Sequence, residues 1–105
     1  MEKDIINRAR KKDAQAISEI VQKTQRKAIY FAYKVVNDEA LAKDIVLQSY
    51  ILAFQNLDQL MYDGMFEHWF GRKVSEQLLN QIEYEKNSSL NSSFYVDEED
   101  RIEFD

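Results

Sequence analysis

The scarcity of chain breakers constrains this fold more than any other feature of the sequence. Proline is absent, and the only two glycines are Gly64 and Gly71. Apolar residues recur at spacings of three and four, the period of one helical face, and strand-type alternation is missing. A chain of 105 residues favours one domain with a single modest core. The sequence therefore predicts an all-α fold, a compact bundle of about three to four helices.

Capping residues and turn signals divide the chain into helices. Asp13 and Asp38 are the predicted N-caps of a second and a third helix, and Asn37-Asp38 is the turn between them. The periodicity fails around residues 56–65, where Asp63-Gly64 is a turn signal. The predicted first helix covers about residues 2–10, the second about 13–36, and the last about 66–84, while the third contains residues 40–54.

Each predicted helix has one apolar side that should face the core. The first helix should bury Ile5, Ile6 and Ala9. The predicted stripe of the second helix is Ile17, Ile20, Val21, Thr24, Ala28, Phe31 and Val35. The predicted stripe of the last helix is Phe66, Phe70, Val74, Leu78 and Ile82, with Trp69 beside it.

The charges are distributed unevenly along the chain. Residues 1–86 hold 13 basic and 13 acidic side chains, so the net charge of −5 arises in the last 19 residues, where six acids face Arg101. This Asn/Ser-rich and then acidic segment, 87–105, is predicted to be a linker or a disordered or extended tail beyond a domain of residues 1–86. Within residues 8–34, eight basic side chains face only Asp13 and Glu19. That stretch can attract phosphates, or it can be an ordinary solvated face.

The sequence offers little for catalysis, metal binding or membrane insertion. Cysteine is absent and His68 is the only histidine, so no nucleophile–base pair or histidine-containing metal site is evident, and we expect no enzymatic activity and no cofactor. Apolar runs are short and interrupted by charge, and the N-terminus lacks a secretory signal. A cytoplasmic protein that does not enter membranes is expected.

The third helix combines two different faces. At about 100° per residue, one side collects Ala42, Ile45, Val46, Ser49, Tyr50 and Ala53, which suits close packing against the second helix. The opposite side collects Asp44, Leu47, Gln48, Ile51 and Gln55. If the first side is core, the second is at least partly exposed and resembles a helix-binding interface, with apolar anchors and a polar rim. The alternative is that the first helix or the tail covers it.

Four stretches in this order resemble region 2 of bacterial RNA polymerase sigma factors of the extracytoplasmic-function group. They are DAQAISEIVQKTQRKAIYFAYKVVNDEALAKD, AKDIVLQSYILAF, NLDQL and FEHWF, and together they cover about residues 1–86. The second stretch aligns without a gap to the family's helix that docks on the clamp helices of the polymerase's largest subunit. The fourth matches the family's Phe-x-x-Trp-Leu motif.

The resemblance implies that the face of Asp44, Leu47, Gln48, Ile51 and Gln55 binds RNA polymerase core through those clamp helices. Leu47 stands where the family usually has Gln, and Gln48 where it usually has Glu. These changes remove a charge and add an aliphatic anchor, so docking should depend less on salt than a charge-steered interface does. A further partner that the resemblance implies is an anti-sigma factor or a second sigma subunit.

The resemblance also implies promoter DNA as a partner. In the family, the loop before the Phe-x-x-Trp motif and the helix after it recognise and open the −10 element. The matching positions here are Tyr62, as a stacking group, together with Trp69, Arg72 and Lys73. Trp69 can form part of the wedge that opens DNA, or it can be an ordinary core aromatic.

Beyond Lys73 the likeness to the family decays. Glu76 and Glu83 stand where the family has Asn and Arg, and both carboxylates oppose phosphate. A second function therefore stays open, a co-regulator or split-sigma subunit that binds polymerase or a sigma partner but not DNA. No helix-turn-helix that would read the −35 element is evident after residue 86, so the chain is expected to be a fragment or a region-2-only protein. The acidic tail would then be either a linker toward the polymerase active centre or an inhibitory segment.

Overall fold

Four α-helices and two short 3-10 turns make up the part of the chain that the structure describes. This computed structural model describes residues 3–96, with the side chains of residues 3–87. The elements are α1 (Lys3–Arg10), α2 (Ala14–Val36), α3 (Glu39–Gln55), the 3-10 turns Leu57–Gln59 and Asp63–Met65, and α4 (Phe66–Val96). No strand occurs within residues 3–96. The predicted all-α fold is confirmed.

Asp13 caps α2 and also ties it to α1. Its carboxylate accepts hydrogen bonds from the amides of Gln15 and Ala16, at 3.0 and 3.4 Å, and from Arg8 Nε at 3.2 Å. Partial burial raises the pKa of Asp13, but the hydrogen bonds from Ala16, Arg8 and Gln15 outweigh it, and the pKa lies below its ordinary value. The predicted N-cap is confirmed.

The turn between α2 and α3 also forms at the predicted residues. Asn37 adopts a left-handed conformation with φ of 56°, which asparagine tolerates better than most residues, and its amide donates to the carbonyl of Tyr33 at 2.7 Å. The carboxylate of Asp38 then accepts from the amide of Leu41 at 3.1 Å and begins α3. Because the connection is so short, α3 returns along α2, and these two helices form the largest helix–helix contact of the bundle.

The core confirms the predicted apolar side of α1, and it corrects the stripe of α2. Ile5, Ile6 and Ala9 are all buried. In α2, by contrast, Phe31 and Val35 are exposed, and Ala32 is buried in their place. The physical reason is incomplete cover, because Phe31 and Val35 continue the apolar stripe on sides of α2 that the neighbouring helices cover only in part.

The stripe of α4 is correct for its first four members and wrong for the last. Phe66, Phe70, Val74 and Leu78 are buried, whereas Ile82 is exposed. Among the side chains that the structure describes, none after Leu78 is buried, because no other helix covers that part of α4. The helix itself continues to Val96, past its predicted end and past the predicted domain boundary at 86. The rest of the predicted tail, 97–105, lies outside the described residues.

No helix in the described residues is both long enough and apolar enough to cross a bilayer.

Candidate functional site

The two faces of α3 separate as the sequence predicts. Its buried residues are Ala42, Ile45, Val46, Ser49, Tyr50 and Ala53. The residues of the opposite side are all exposed, and we call them the α3 outer face: Asp44, Leu47, Gln48, Ile51 and Gln55. Three of the six buried residues, Ala42, Ser49 and Ala53, are small, and the outer face stays clear of the bundle.

The α3 outer face carries two uncovered aliphatic anchors. Leu47 is 55% exposed and Ile51 is 44% exposed. Within residues 3–87, the side chains of Asp44, Gln48 and Gln55 form no hydrogen bond or ion pair with other side chains, so their polar groups remain available to a partner. Apolar anchors with a polar rim are the usual composition of a protein–protein interface.

One of the two segments that were alternatives for covering this face lies elsewhere. α1 packs against α2 and the second 3-10 turn, and the outer face stays exposed with α1 in place. The suggestion that the first helix covers the face is therefore wrong. The acidic tail, the other alternative, lies outside the described side chains.

The connection between α3 and α4 is held from a distance by Arg10 of α1. Arg10 Nη2 donates to Asp63 Oδ1 at 2.7 Å and to the carbonyl oxygen of Leu60 at 3.2 Å. The side chain of Asp63 is only 12% exposed, so this charge-assisted pair is partly shielded from water. The segment expected to meet promoter DNA is thus anchored to α1 at Leu60, directly after the first 3-10 turn, and at Asp63, where the second begins.

An aromatic cluster joins α3 to α4 and fixes the position of Trp69. The Tyr50 and Phe70 rings stack with centroids 4.4 Å apart, and the Phe66 and Phe70 rings are parallel at 5.8 Å. Trp69 is tilted against Phe66 at 6.1 Å and is half-buried. It therefore packs on the edge of the core, as one of its two interpretations expected, while part of the indole stays at the surface.

The structure brings together only two of the four residues expected to bind DNA. Lys73 Nζ lies 5.1 Å from the centroid of the Trp69 ring, a cation–π contact. Arg72 is exposed three positions after Trp69, with no recorded contact to it, and lies on the same broad side of α4 as Glu76 and Glu83. Tyr62 is exposed between the two 3-10 turns. Residues 56–73 also hold three acids against two bases, which disfavours contact with phosphate.

A buried hydrogen bond between Thr24 and Tyr50 links α2 to α3. The Thr24 hydroxyl donates to the carbonyl of Ile20 at 2.8 Å, so its single proton is used there. The Tyr50 hydroxyl must then donate to Thr24 Oγ1. Burial raises the pKa of Tyr50, and the hydrogen bond with Thr24 opposes this only in part. Tyr50 consequently stays protonated at neutral pH.

Two features of the surface were not predicted from sequence. Tyr30, Phe31 and Tyr33 are all exposed on α2, with Phe31 toward α4 and Tyr33 toward α3, although Phe31 was assigned to the core stripe. The Arg10–Asp63 pair had no signal either, because its partners lie 53 positions apart. The run of basic residues was the only sequence feature that could have indicated a functional surface on α2.

Within the described residues, no group of three or more His, Cys, Asp or Glu side chains is arranged to hold a metal ion. No protein-family model matches the chain, and comparison with curated proteins and with solved structures finds no significant match. The sigma-factor resemblance therefore depends on the four sequence stretches alone. Any inference about function depends on that resemblance and on the geometry of the surfaces.

Proposed function

We propose that this chain is a sigma-factor region-2 domain that binds the clamp helices of RNA polymerase through the α3 outer face. It would act in the cytoplasm during transcription initiation and would catalyse no reaction itself. The observation that carries the proposal is the separation of α3 into a buried side and an exposed side with two aliphatic anchors. The exposed side is the one that the resemblance assigns to docking.

The chemistry of the α3 outer face supports a helical protein partner. Leu47 and Ile51 lie four positions apart, so they form a short ridge that fits the groove between two partner helices. Complete burial of an aliphatic side chain of this size stabilises a contact by roughly 1.5–3 kcal/mol. Asp44 supplies one carboxylate for a basic group of the partner.

The second part of the proposal concerns promoter DNA. The connection after α3 and the start of α4, residues 56–73, would help to open the −10 element. Exposed Tyr62 and the surface part of Trp69 supply aromatic rings on which unpaired bases can stack, and Lys73 lies beside Trp69. The Arg10–Asp63 pair supports this role because it ties the connection to α1.

An interface-breaking substitution tests the docking proposal. Ile51→Asp places a charge in the centre of the outer face, and we expect binding to an isolated clamp-helix fragment to weaken about tenfold or more. Leu79→Asp is the matched control, because Leu79 is also an exposed aliphatic residue but lies on α4. Titration calorimetry with the fragment measures both. Equal affinity of Ile51→Asp and the unmodified chain would rule out docking through this face.

A second candidate function is supported by a different observation. Glu76 and Glu83 are exposed on the same side of α4 as Arg72, and residues 56–73 carry a net negative charge. A co-regulator or split-sigma subunit, which binds polymerase or a sigma partner without DNA, would have no need of a basic α4. Absence of binding to a −10 non-template oligonucleotide at low salt, together with intact clamp-helix binding, favours this candidate.

A further inference from the structure

The exposed side of the second half of α2 has the composition of a single-stranded nucleic-acid platform. Residues 22–36 contain four basic side chains and no acid, although the whole chain has a net charge of −5. The same fifteen positions expose three aromatic rings, those of Tyr30, Phe31 and Tyr33. Stacking rings interleaved with cations are the recurring chemistry of surfaces that hold unpaired nucleotides.

Three of these cations are free of acidic partners in the described residues. Arg26, Lys27 and Lys34 form no ion pair there. Lys23, by contrast, is paired, with its Nζ 3.4 Å from Glu19 Oε2. Lys34 Nζ lies 5.3 Å from the centroid of the Tyr30 ring, which places a cation beside a stacking surface. The exposed half of α2 thus offers about three sites for phosphate neutralisation along two turns of helix.

Two depressions flank this side of α2. One is an apolar cleft of about 340 Å³ between α2 and the start of α4, with Lys23, Lys27 and Phe31 on one side and Glu67 and Gly71 on the other. Its size falls at the lower end of ligand clefts, which are roughly 300–1,000 Å³.

The second depression is a shallower groove between α2 and the start of α3. It is lined by Arg26, Tyr30 and Tyr33, with the Lys43–Glu39 ion pair at its edge. Cations and aromatic rings therefore occur on both sides of the α2 ridge. The acids near the ridge (Glu19, Glu39 and Glu67) all lie on its borders.

We propose that the second half of α2 binds single-stranded nucleic acid, with phosphates on Arg26, Lys27 and Lys34, bases stacked on Tyr30 and Phe31, and one base inserted in the cleft beside Gly71. Charge complementarity favours a polyanion, and the exposed rings beside the cations favour one that carries planar bases able to stack. The inference goes beyond the proposed function, since it assigns the main phosphate contacts to α2 rather than to residues 56–73.

Charge reversal on α2 tests the platform. With a labelled single-stranded oligonucleotide at about 50 mM salt, we expect Lys27→Glu/Lys34→Glu to bind at least tenfold more weakly, by fluorescence anisotropy. Lys3→Glu/Lys11→Glu is the matched control, because it makes the same change in net charge at exposed positions away from the ridge, and a change below threefold is expected.

Tyr30→Ala tests the stacking step. Loss of one stacked ring should weaken oligonucleotide binding about fivefold or more. Tyr84→Ala is its control, because the two tyrosines are similarly exposed, at 62% and 68%, and Tyr84 lies on α4. Three results would each overturn the proposal. The unmodified chain does not bind the oligonucleotide, the α2 variants and their controls lose equal affinity, or affinity is lost only in Arg72→Glu/Lys73→Glu.

The cleft has its own variant. A Cβ built on Gly71 meets no atom within 4 Å, so Gly71→Leu fills the cleft without a clash at the backbone. Weaker oligonucleotide binding with unchanged clamp-helix binding supports insertion of a base. Unchanged oligonucleotide binding with weaker clamp-helix binding would assign the cleft to a protein partner and would overturn the insertion of a base. Because clamp-helix binding is measured in parallel, failure of the platform and failure of α3 docking give different results.

Discussion

α2 and α3 pack against each other along the bundle, yet they present different chemistry to the solvent. The α3 outer face holds two aliphatic side chains, two amides and one carboxylate. Residues 22–36 of α2 hold four cations, three exposed aromatic rings and no acid. Packing constrains only the inner sides of the two helices, so their outer sides are free to differ. The difference separates a surface suited to a protein helix from one suited to an unpaired polyanion.

Both surfaces depend on one aromatic core. Truncation of that core should unfold the bundle and so remove both surfaces at once. Phe66 is fully buried and contacts Phe54, Trp69 and Phe70. We expect Phe66→Ala to lower the free energy of unfolding by about 3–5 kcal/mol, measured by urea denaturation. Phe66→Leu, which keeps most of the volume, should cost much less. A loss below about 1 kcal/mol in Phe66→Ala would show that this core does not support the bundle.

Salt should separate the two surfaces without any substitution. Three phosphate contacts on a single strand give a slope of log affinity against log salt of about −2, so α2 binding should fall about 20-fold between 50 and 200 mM salt. Binding of the clamp-helix fragment to the mostly uncharged α3 face should change less than threefold. Parallel titrations at four salt concentrations measure both slopes. Equal slopes would remove the distinction between the surfaces.

A smaller effect is expected where the two helices meet. Tyr50→Phe removes the hydrogen bond to Thr24 and should cost about 1 kcal/mol, with both binding surfaces intact. The pKa of Tyr50 is raised in the folded state, so its contribution is fully present below about pH 10, the unfolded value, and is lost as pH rises through the folded pKa. Chemical denaturation between pH 8 and 11 should therefore show a shallower alkaline loss in Tyr50→Phe than in the unmodified chain. Identical curves of unfolding free energy against pH for the two chains would contradict a raised pKa of Tyr50 in the folded state.

Local signals in the sequence predict most of the secondary structure. Asp13 and Asp38 cap the helices where expected, because a cap is a contact between residues two or three positions apart. The two sides of α3 also follow from periodicity, since both neighbours of that helix pack on the same side. The start of α4 at Phe66 follows from the turn signal before it.

The errors occur where a helix loses its neighbours. Phe31, Val35 and Ile82 continue apolar stripes that periodicity assigns to the core, yet all three are exposed. Periodicity reports which side of a helix is apolar, and it carries no information about how far along the helix a partner extends. The exposed Phe31 ring, which lines the cleft, is a direct result of this limit.

The amino-acid sequence by itself determined the helices, their caps, the core side of α1 and the two-sided character of α3, because these depend on residues near one another in the chain. Only the tertiary structure decided which apolar side chains stay exposed, how Arg10 holds Asp63 across 53 positions, and that cations and rings of α2 flank a cleft with α4. Those features arise from the angles and lengths over which helices meet, and long-range packing sets these quantities.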